Sequence, residues 1–311
     1  DLKMIIFDQN SNATQTLNNP LAVQAHMSSP TPQPKTPEKF RYWSAGVSTG
    51  YQREQLKWQV ASIDGLINPF LIENWHSVDL WTINADLDFQ LPSGWLVQGH
   101  GEYGFAFNGG LERNGYFSNA DVEPAFQTNS TVDTGSAIKF SGALGYKFKF
   151  GEQNHWFSTN VTPLFGYAYQ EQHYSAVSGV DNFRVKNTYT SAWQGPWAGL
   201  NMAFIIHKKH ELLTNIEIHW ADFNALGELS NSSGLQKLEH TASAIGYKAS
   251  FGYQFKPKEY WGINLMFNYQ HWETQEGSET LNLPSGSSIR SPLKSVVRDA
   301  FGINAGVNVA F

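Results

Sequence analysis

From Tyr42 onward, apolar and polar side chains alternate in one segment after another. Counting back from the C-terminus, Val309, Val307, Ala305, Ile303 and Phe301 are apolar, while Ala310, Asn308, Gly306, Asn304 and Gly302 are small or polar. The same split sets Phe157, Val161, Phe165, Tyr167 and Tyr169 against Ser158, Asn160, Thr162, Gly166 and Gln170. It sets Trp261, Ile263, Leu265, Phe267 and Tyr269 against Gly262, Asn264, Asn268 and Gln270. A period of two marks β-strands with unlike faces. It predicts about ten strands, over 42–58, 76–91, 94–111, 136–150, 155–171, 192–207, 210–223, 244–256, 259–272 and 296–311. Tight polar turns at 91–94, 151–154, 207–210 and 256–259 alternate with long polar loops near 59–75, 112–135, 172–190, 224–243 and 273–295. An even strand count places both ends of the sheet on the short-turn side.

Two architectures carry such alternation, a soluble β-sandwich and a membrane β-barrel. Several segments exceed the roughly 9–11 residues a tilted strand needs to cross a bilayer. Trp43, Trp75, Trp95, Trp156, Trp197, Trp220, Trp261 and Trp272 fall near strand ends, where interfacial girdles form. A sandwich would leave many aromatics on its outer faces with no helix to cover them. The last strand closes on Phe311, which resembles the recognition signature of outer-membrane barrels. The expected fold is all-β, a single transmembrane antiparallel β-barrel over 40–311 in the bacterial outer membrane, with lipid and lipopolysaccharide as its surroundings.

Composition narrows the picture further. The chain has 11 Trp, 13 Tyr and 21 Phe, so aromatic surface is plentiful while aliphatic bulk is modest. No apolar run is long enough for a membrane helix; Gly65-Leu66-Ile67-Asn68-Pro69 is a representative interruption. With Lys+Arg 21 against Asp+Glu 27, the net charge of -6 lacks the basic excess that draws proteins to phosphate backbones, so nucleic acid is not expected as a partner. The absence of cysteine suits an oxidising compartment. Residues 1–39 differ from the rest: Pro30, Pro32, Pro34 and Pro37 alternate with polar residues, as in an extended tail, expected on the periplasmic side. Its Met4-Ile5-Ile6-Phe7 patch is either free or an anchor to another component. A start at Asp1 without a signal peptide reads as a mature chain.

If the apolar set faces lipid, parity sends Asp86, Asp88, His100, Glu102, Lys139, Lys147, Lys149, Glu217, His219, Lys248 and Arg298 into the lumen, with Gln98, Asn160 and Asn304. That interior is ionised and of mixed sign. Narrow barrels are largely filled by side chains, so a core of salt bridges competes with a selective channel as its explanation. Inward glycines such as Gly46, Gly50, Gly252 and Gly306 leave space that favours the channel. His100 with Glu102 and His219 with Glu217 are acid/base pairs at i, i+2, a spacing any strand face produces. No metal motif, nucleophile elbow or phosphate loop is present, and no cofactor is expected.

Ser44-Ala45-Gly46-Val47-Ser48-Thr49-Gly50-Tyr51-Gln52-Arg53-Glu54, the glycine-rich run from Gly99 to Gly110, and Phe165-Gly166-Tyr167-Ala168-Tyr169-Gln170-Glu171 carry a further signal. They resemble strands of the omptins, ten-stranded outer-membrane proteases, and the layout matches over about 42–311. The resemblance implies a long-stranded barrel. It also implies a catalytic acidic pair and an Asp-x-His dyad, but the matching positions hold Asn114 and Tyr116, and Glu228 and Ser230. Displaced substitutes would be Asp121 with Glu123, and Glu239 with His240. The expected function is therefore non-enzymatic, a porin-like passage of small polar solutes or ions. The alternatives are an adhesin or envelope-complex protein binding a host-surface or envelope partner through its long loops, and an endopeptidase with displaced groups.

Overall fold

A computed structural model describes residues 42–119, 123–151, 156–178, 185–231 and 234–311. The expected tail over 1–39, with its Met4–Phe7 patch, lies outside the described residues, as does Asp121. The elements are β1 (Trp43–Val60), β2 (Leu71–Gln90), β3 (Trp95–Gly115), β4 (Phe126–Tyr146), β5 (Phe148–Phe150), β6 (Phe157–Ser178), β7 (Val185–Ile206), β8 (His210–Asn231), β9 (Gly234–Lys258), β10 (Trp261–Thr274), β11 (Gly277–Asn282) and β12 (Ser288–Ala310). Each long strand pairs antiparallel with its neighbours, and β1 pairs with both β2 and β12, which closes the sheet. The short β5 pairs with β6, and β11 pairs with both β9 and β12 above the end of β10. The result is a closed ten-stranded antiparallel barrel. Closure satisfies every ladder hydrogen bond without an edge, as a lipid environment demands.

The long loops expected at 59–75, 112–135, 172–190, 224–243 and 273–295 are mostly strand. β1 and β2 run on to Val60 and back from Leu71, and β8 and β9 reach Asn231 and Gly234. The sequence hides these extensions because the apolar face changes sides along each strand. On β1, Val47 points outward and is 58% exposed, while Gln52 and Glu54 point in and are buried. Further along, Leu56, Trp58 and Val60 point inward, and Arg53, Gln55 and Lys57 are exposed. β8 does the same, with Ile216 and Trp220 outward, then Ala221, Phe223 and Ala225 inward. In the bilayer the outside must be apolar; beyond it water surrounds the wall and the inside becomes an ordinary core. β-bulges add a second break in phase, at His76/Asp79 on β2 and Val132/Thr134 on β4.

The tryptophans divide accordingly. Trp43, Trp95, Trp156 and Trp220 are exposed on the outer surface as girdle residues. Trp75, Trp197 and Trp272 are buried inside, contrary to their expected place in the girdles, because their parity turns them inward. Among the connections, Ser62 and the Leu66 N–H hold the Asp64 carboxyl in the 61–70 turn below its usual pKa. That turn keeps its anchor until the pH falls through the lowered value.

The lipid face supports a direct test. Val47→Arg places a charge opposite hydrocarbon and should lower unfolding free energy by about 2–4 kcal/mol at the bilayer midplane. Urea titration of barrels folded into phospholipid vesicles measures it; an effect near zero would mean Val47 does not face lipid. At the seam, a side chain on Gly50 would meet Asn304 Oδ1 and the Ile303 carbonyl, so this position admits no Cβ without moving the β1–β12 ladder.

Candidate functional site in the barrel interior

The interior has two unlike halves. Toward the short turns it is a polar cup of about 610 Å³, reaching from Tyr42, Gln90 and Tyr260 at its mouth to Gln52, Lys139, Gln170 and Trp272 at its inner end. Asp86, Asp88, His100, Glu102, Lys139, Lys147, Glu217, His219 and Lys248 all line it. Lys149, expected in the lumen, does not. β4 ends at Tyr146, and Lys149 is exposed near the mouth on the short β5, opposite Asn160 of β6, which lines the cup. Arg298 is inside but lies just past the inner end of the cup, with no exposure at all.

Strand register decides which of these charges meet. Glu102 on β3 faces Lys139 on β4, and Lys139 Nζ donates to Glu102 at 2.6 Å and to Gln52 at 3.1 Å. Lys248 donates to Glu217 at 3.3 Å, and Lys256 to Glu211 at 2.6 Å. His219 lies 2.9 Å from Glu217, so that i, i+2 pair does meet. His100 pairs instead with Asp86 across to β2, at 2.7 Å. Low dielectric strengthens such pairs, and breaking one strands a buried charge.

Above the cup a polar layer crosses the whole barrel. Arg298 on β12 binds Glu54 on β1 through two nitrogens, Nε at 3.1 Å, and donates to Gln170 at 3.2 Å. Tyr174 on β6 donates to the same carboxylate at 2.6 Å. Sequence reasoning missed Glu54, although continuing the inward parity of Gly46 and Gly50 through Gln52 reaches it. From this layer outward the interior is a packed core of Leu56, Trp58, Trp75, Tyr174, Tyr189, Trp193 and Phe223, with Trp272 at its base beside Arg298. Trp193 lies 4.4 Å from Phe223 and 5.6 Å from Trp272 between ring centroids.

Within that core sits a three-residue relay. Tyr189 Oη is 2.8 Å from His240 Nδ1, and His240 Nε2 is 2.9 Å from a Glu279 oxygen. Since a carboxylate only accepts, a neutral His240 carries its proton on Nε2 and accepts from the phenol at Nδ1. Glu239 cannot assist His240: it is exposed on the opposite face of β9 and accepts from Asn282. Trp58 packs edge-on over His240, which is 1% exposed, so no substrate reaches the imidazole in this arrangement. At the rim, Asn114 donates to Glu112 and Glu228 pairs with Lys237 at 3.4 Å, so the omptin catalytic positions hold structural contacts. No group of three or more metal-ligating side chains converges among the described residues.

Closed ten-stranded topology, an apolar outer belt and a polar lower lumen together define an outer-membrane β-barrel of omptin-like architecture. The barrel is similar to the outer membrane protease OmpT of Escherichia coli, with a TM-score of 0.72 at 11% identity, covering 88% of this chain and 99% of that one. The chain belongs to the Protochlamydia outer membrane protein (Pom) family, matching it over residues 46–311. Weaker likeness extends to the translocator domain of the autotransporter NalP from Neisseria meningitidis, at 9% identity and TM-score 0.42, covering 88% of this chain and 90% of that one. It also extends to an outer membrane channel from Pseudomonas putida F1, at 10% identity and TM-score 0.27, covering 88% and 97%. No curated protein sequence matches it. At such identities the likeness to solved structures speaks for the fold alone.

Proposed function

We propose that this barrel passes small polar solutes or ions, entering through the periplasmic cup and held closed at rest by the Arg298 layer and the aromatic core above it. The carrying observation is the cup itself, about 610 Å³ of polar space inside the membrane section. Stability alone favours a filled interior, as the outer half demonstrates. Six carboxylates line the cup against four ammonium groups, so cations should be favoured. Stepwise conductance in planar bilayers tests the reading. Lys147→Glu should move the reversal potential further toward cation preference, since Lys147 stands near the mouth beside Gln90. A bilayer that stays silent under all voltages would remove the conduit.

One observation favours a second reading, a surface protein that binds an envelope or host partner by its outer end. Ile63, Leu66 and Phe117 stand 67%, 71% and 64% exposed on the outer connections, where no lipid covers them. Apolar side chains gathered in water at a loop end mark contact surfaces. Serine at all three should abolish cell adhesion while leaving heat-modifiable gel mobility unchanged. Unchanged adhesion would count against it.

A further inference from the structure

We propose that the outer tips of the β1–β2 and β3–β4 hairpins insert into the surface of an apposed bilayer of zwitterionic phospholipid. The inference rests on the second reading above and names its partner. One side chain stitches the two connections into a single surface: Asn119 accepts from the Asn68 N–H at 2.7 Å and donates to the Leu66 carbonyl at 2.6 Å. The Tyr116 N–H adds a bond to the Phe70 carbonyl at 2.9 Å. Ile63, Leu66 and Phe117 project from that surface into water, with Phe126 beside Phe117 at 6.4 Å between ring centroids.

Exposed apolar side chains alone fit any apolar partner; the backbone between them favours lipid. In hydrocarbon, N–H and C=O groups must be satisfied from within the chain, because no water is there to do it. The 61–70 connection does this through most of its length. The Ser62 N–H donates to the Ile67 carbonyl at 2.9 Å, the Gly65 N–H to the Ser62 carbonyl at 2.8 Å, and the Phe70 N–H to the Val60 carbonyl at 2.8 Å. The Leu66 N–H donates to the Asp64 carboxylate at 3.1 Å and the Ile67 N–H to the Ser62 hydroxyl at 2.9 Å. A connection that docked an extended protein strand would instead keep main-chain donors and acceptors free for it. Charge decides the kind of bilayer. The described residues of the two connections include Asp64 and Glu123 and no Lys, Arg or His. Asp64 stays ionised, which limits insertion to the headgroup boundary, where Ile63 and Leu66 on either side of it reach the acyl chains. An anionic leaflet would repel both carboxylates.

The full chain, refolded in nanodiscs, is mixed with protein-free phosphatidylcholine vesicles and floated on a density gradient, with empty nanodiscs as the control. The expected result is saturable co-flotation, reduced several-fold when about one-third of the vesicle lipid is phosphatidylglycerol. Leu66→Ser and Phe117→Ser should each weaken it about tenfold. The chain has no cysteine, so Ile63→Cys carries a single environment-sensitive dye. Its emission should shift to the blue with phosphatidylcholine vesicles and be quenched by brominated acyl chains. Folding of each variant is read from heat-modifiable mobility, and the dye keeps the test open if a serine variant misfolds. No flotation above the control, flotation without a dye shift, parental flotation in the folded serine variants, or stronger binding to the anionic vesicles would overturn the inference. Cell adhesion without vesicle binding would keep the second reading and remove lipid as its partner, the result a protein partner would give; vesicle binding without cell adhesion would do the reverse.

Discussion

Arg298→Met is expected to lower the unfolding free energy of the vesicle-folded barrel by about 3–5 kcal/mol, read as a shifted urea midpoint. Glu54, itself without exposure, would be left as an unpaired charge in the middle of the barrel. Of the partners that carboxylate now has, Tyr174 would still donate, at 2.6 Å, but no cation would contact it. Glu54→Leu alone should cost a comparable amount, since Arg298 would then keep only Gln170 and Gln270, at 3.2 and 3.4 Å. The double variant Arg298→Met/Glu54→Leu should recover more than half of the loss. An apolar pair of similar volume no longer has to be desolvated as ions. If the two single losses simply add in the double variant, the two residues do not act as a pair and the cross-barrel layer is misread.

Trp58→Ala should cost about 3–5 kcal/mol by the same titration, the range for removing a buried indole. Trp58 is 1% exposed, with Tyr189 stacked at 6.2 Å and His240 edge-on at 4.8 Å between ring centroids. The resulting cavity lies directly on the line from the cup to the outside, above the Arg298 layer. If the aromatic core is what holds the barrel shut, Trp58→Ala should conduct more often and in larger steps than the parent protein. A destabilised variant with unaltered current would place the closure elsewhere, most directly at Arg298 and Glu54. The two variants therefore separate a polar gate from an aromatic one, and stability alone does not.

Much of the membrane section was legible from residue order. The alternation of Phe301, Ile303 and Val307 with Gly302, Asn304 and Gly306 marked a two-faced strand, and both sides of β12 follow it. Parity likewise sent Glu102, Lys139, Glu217 and Lys248 to one interior, where they line the cup. Lys149 shares the face of Asn160, its partner across the ladder, but stands exposed past the end of β4, a break that alternation does not reveal. The outer halves read as loops for a sharper reason. The solvent outside a strand changes from hydrocarbon to water along its length, so the apolar face changes from out to in. A period-two pattern that reverses phase cancels when read across the whole strand.

The sequence by itself determined the alternation, the short turns, the shortage of long apolar runs and hence a closed β-barrel, because no other β-architecture satisfies its backbone in lipid. Only the tertiary structure decided the partners. Glu54 and Arg298 are 244 residues apart in the chain, and His240 finds Glu279, 39 residues on, in preference to its neighbour Glu239. Parity assigns a side chain to a face, but inter-strand register and closure choose what it meets there. The same closure brings Trp58, Tyr189, Trp193, Phe223 and Trp272 from four strands into one core. Whether the lumen holds water or side chains is thus settled by how ten strands meet, and no single strand carries that information.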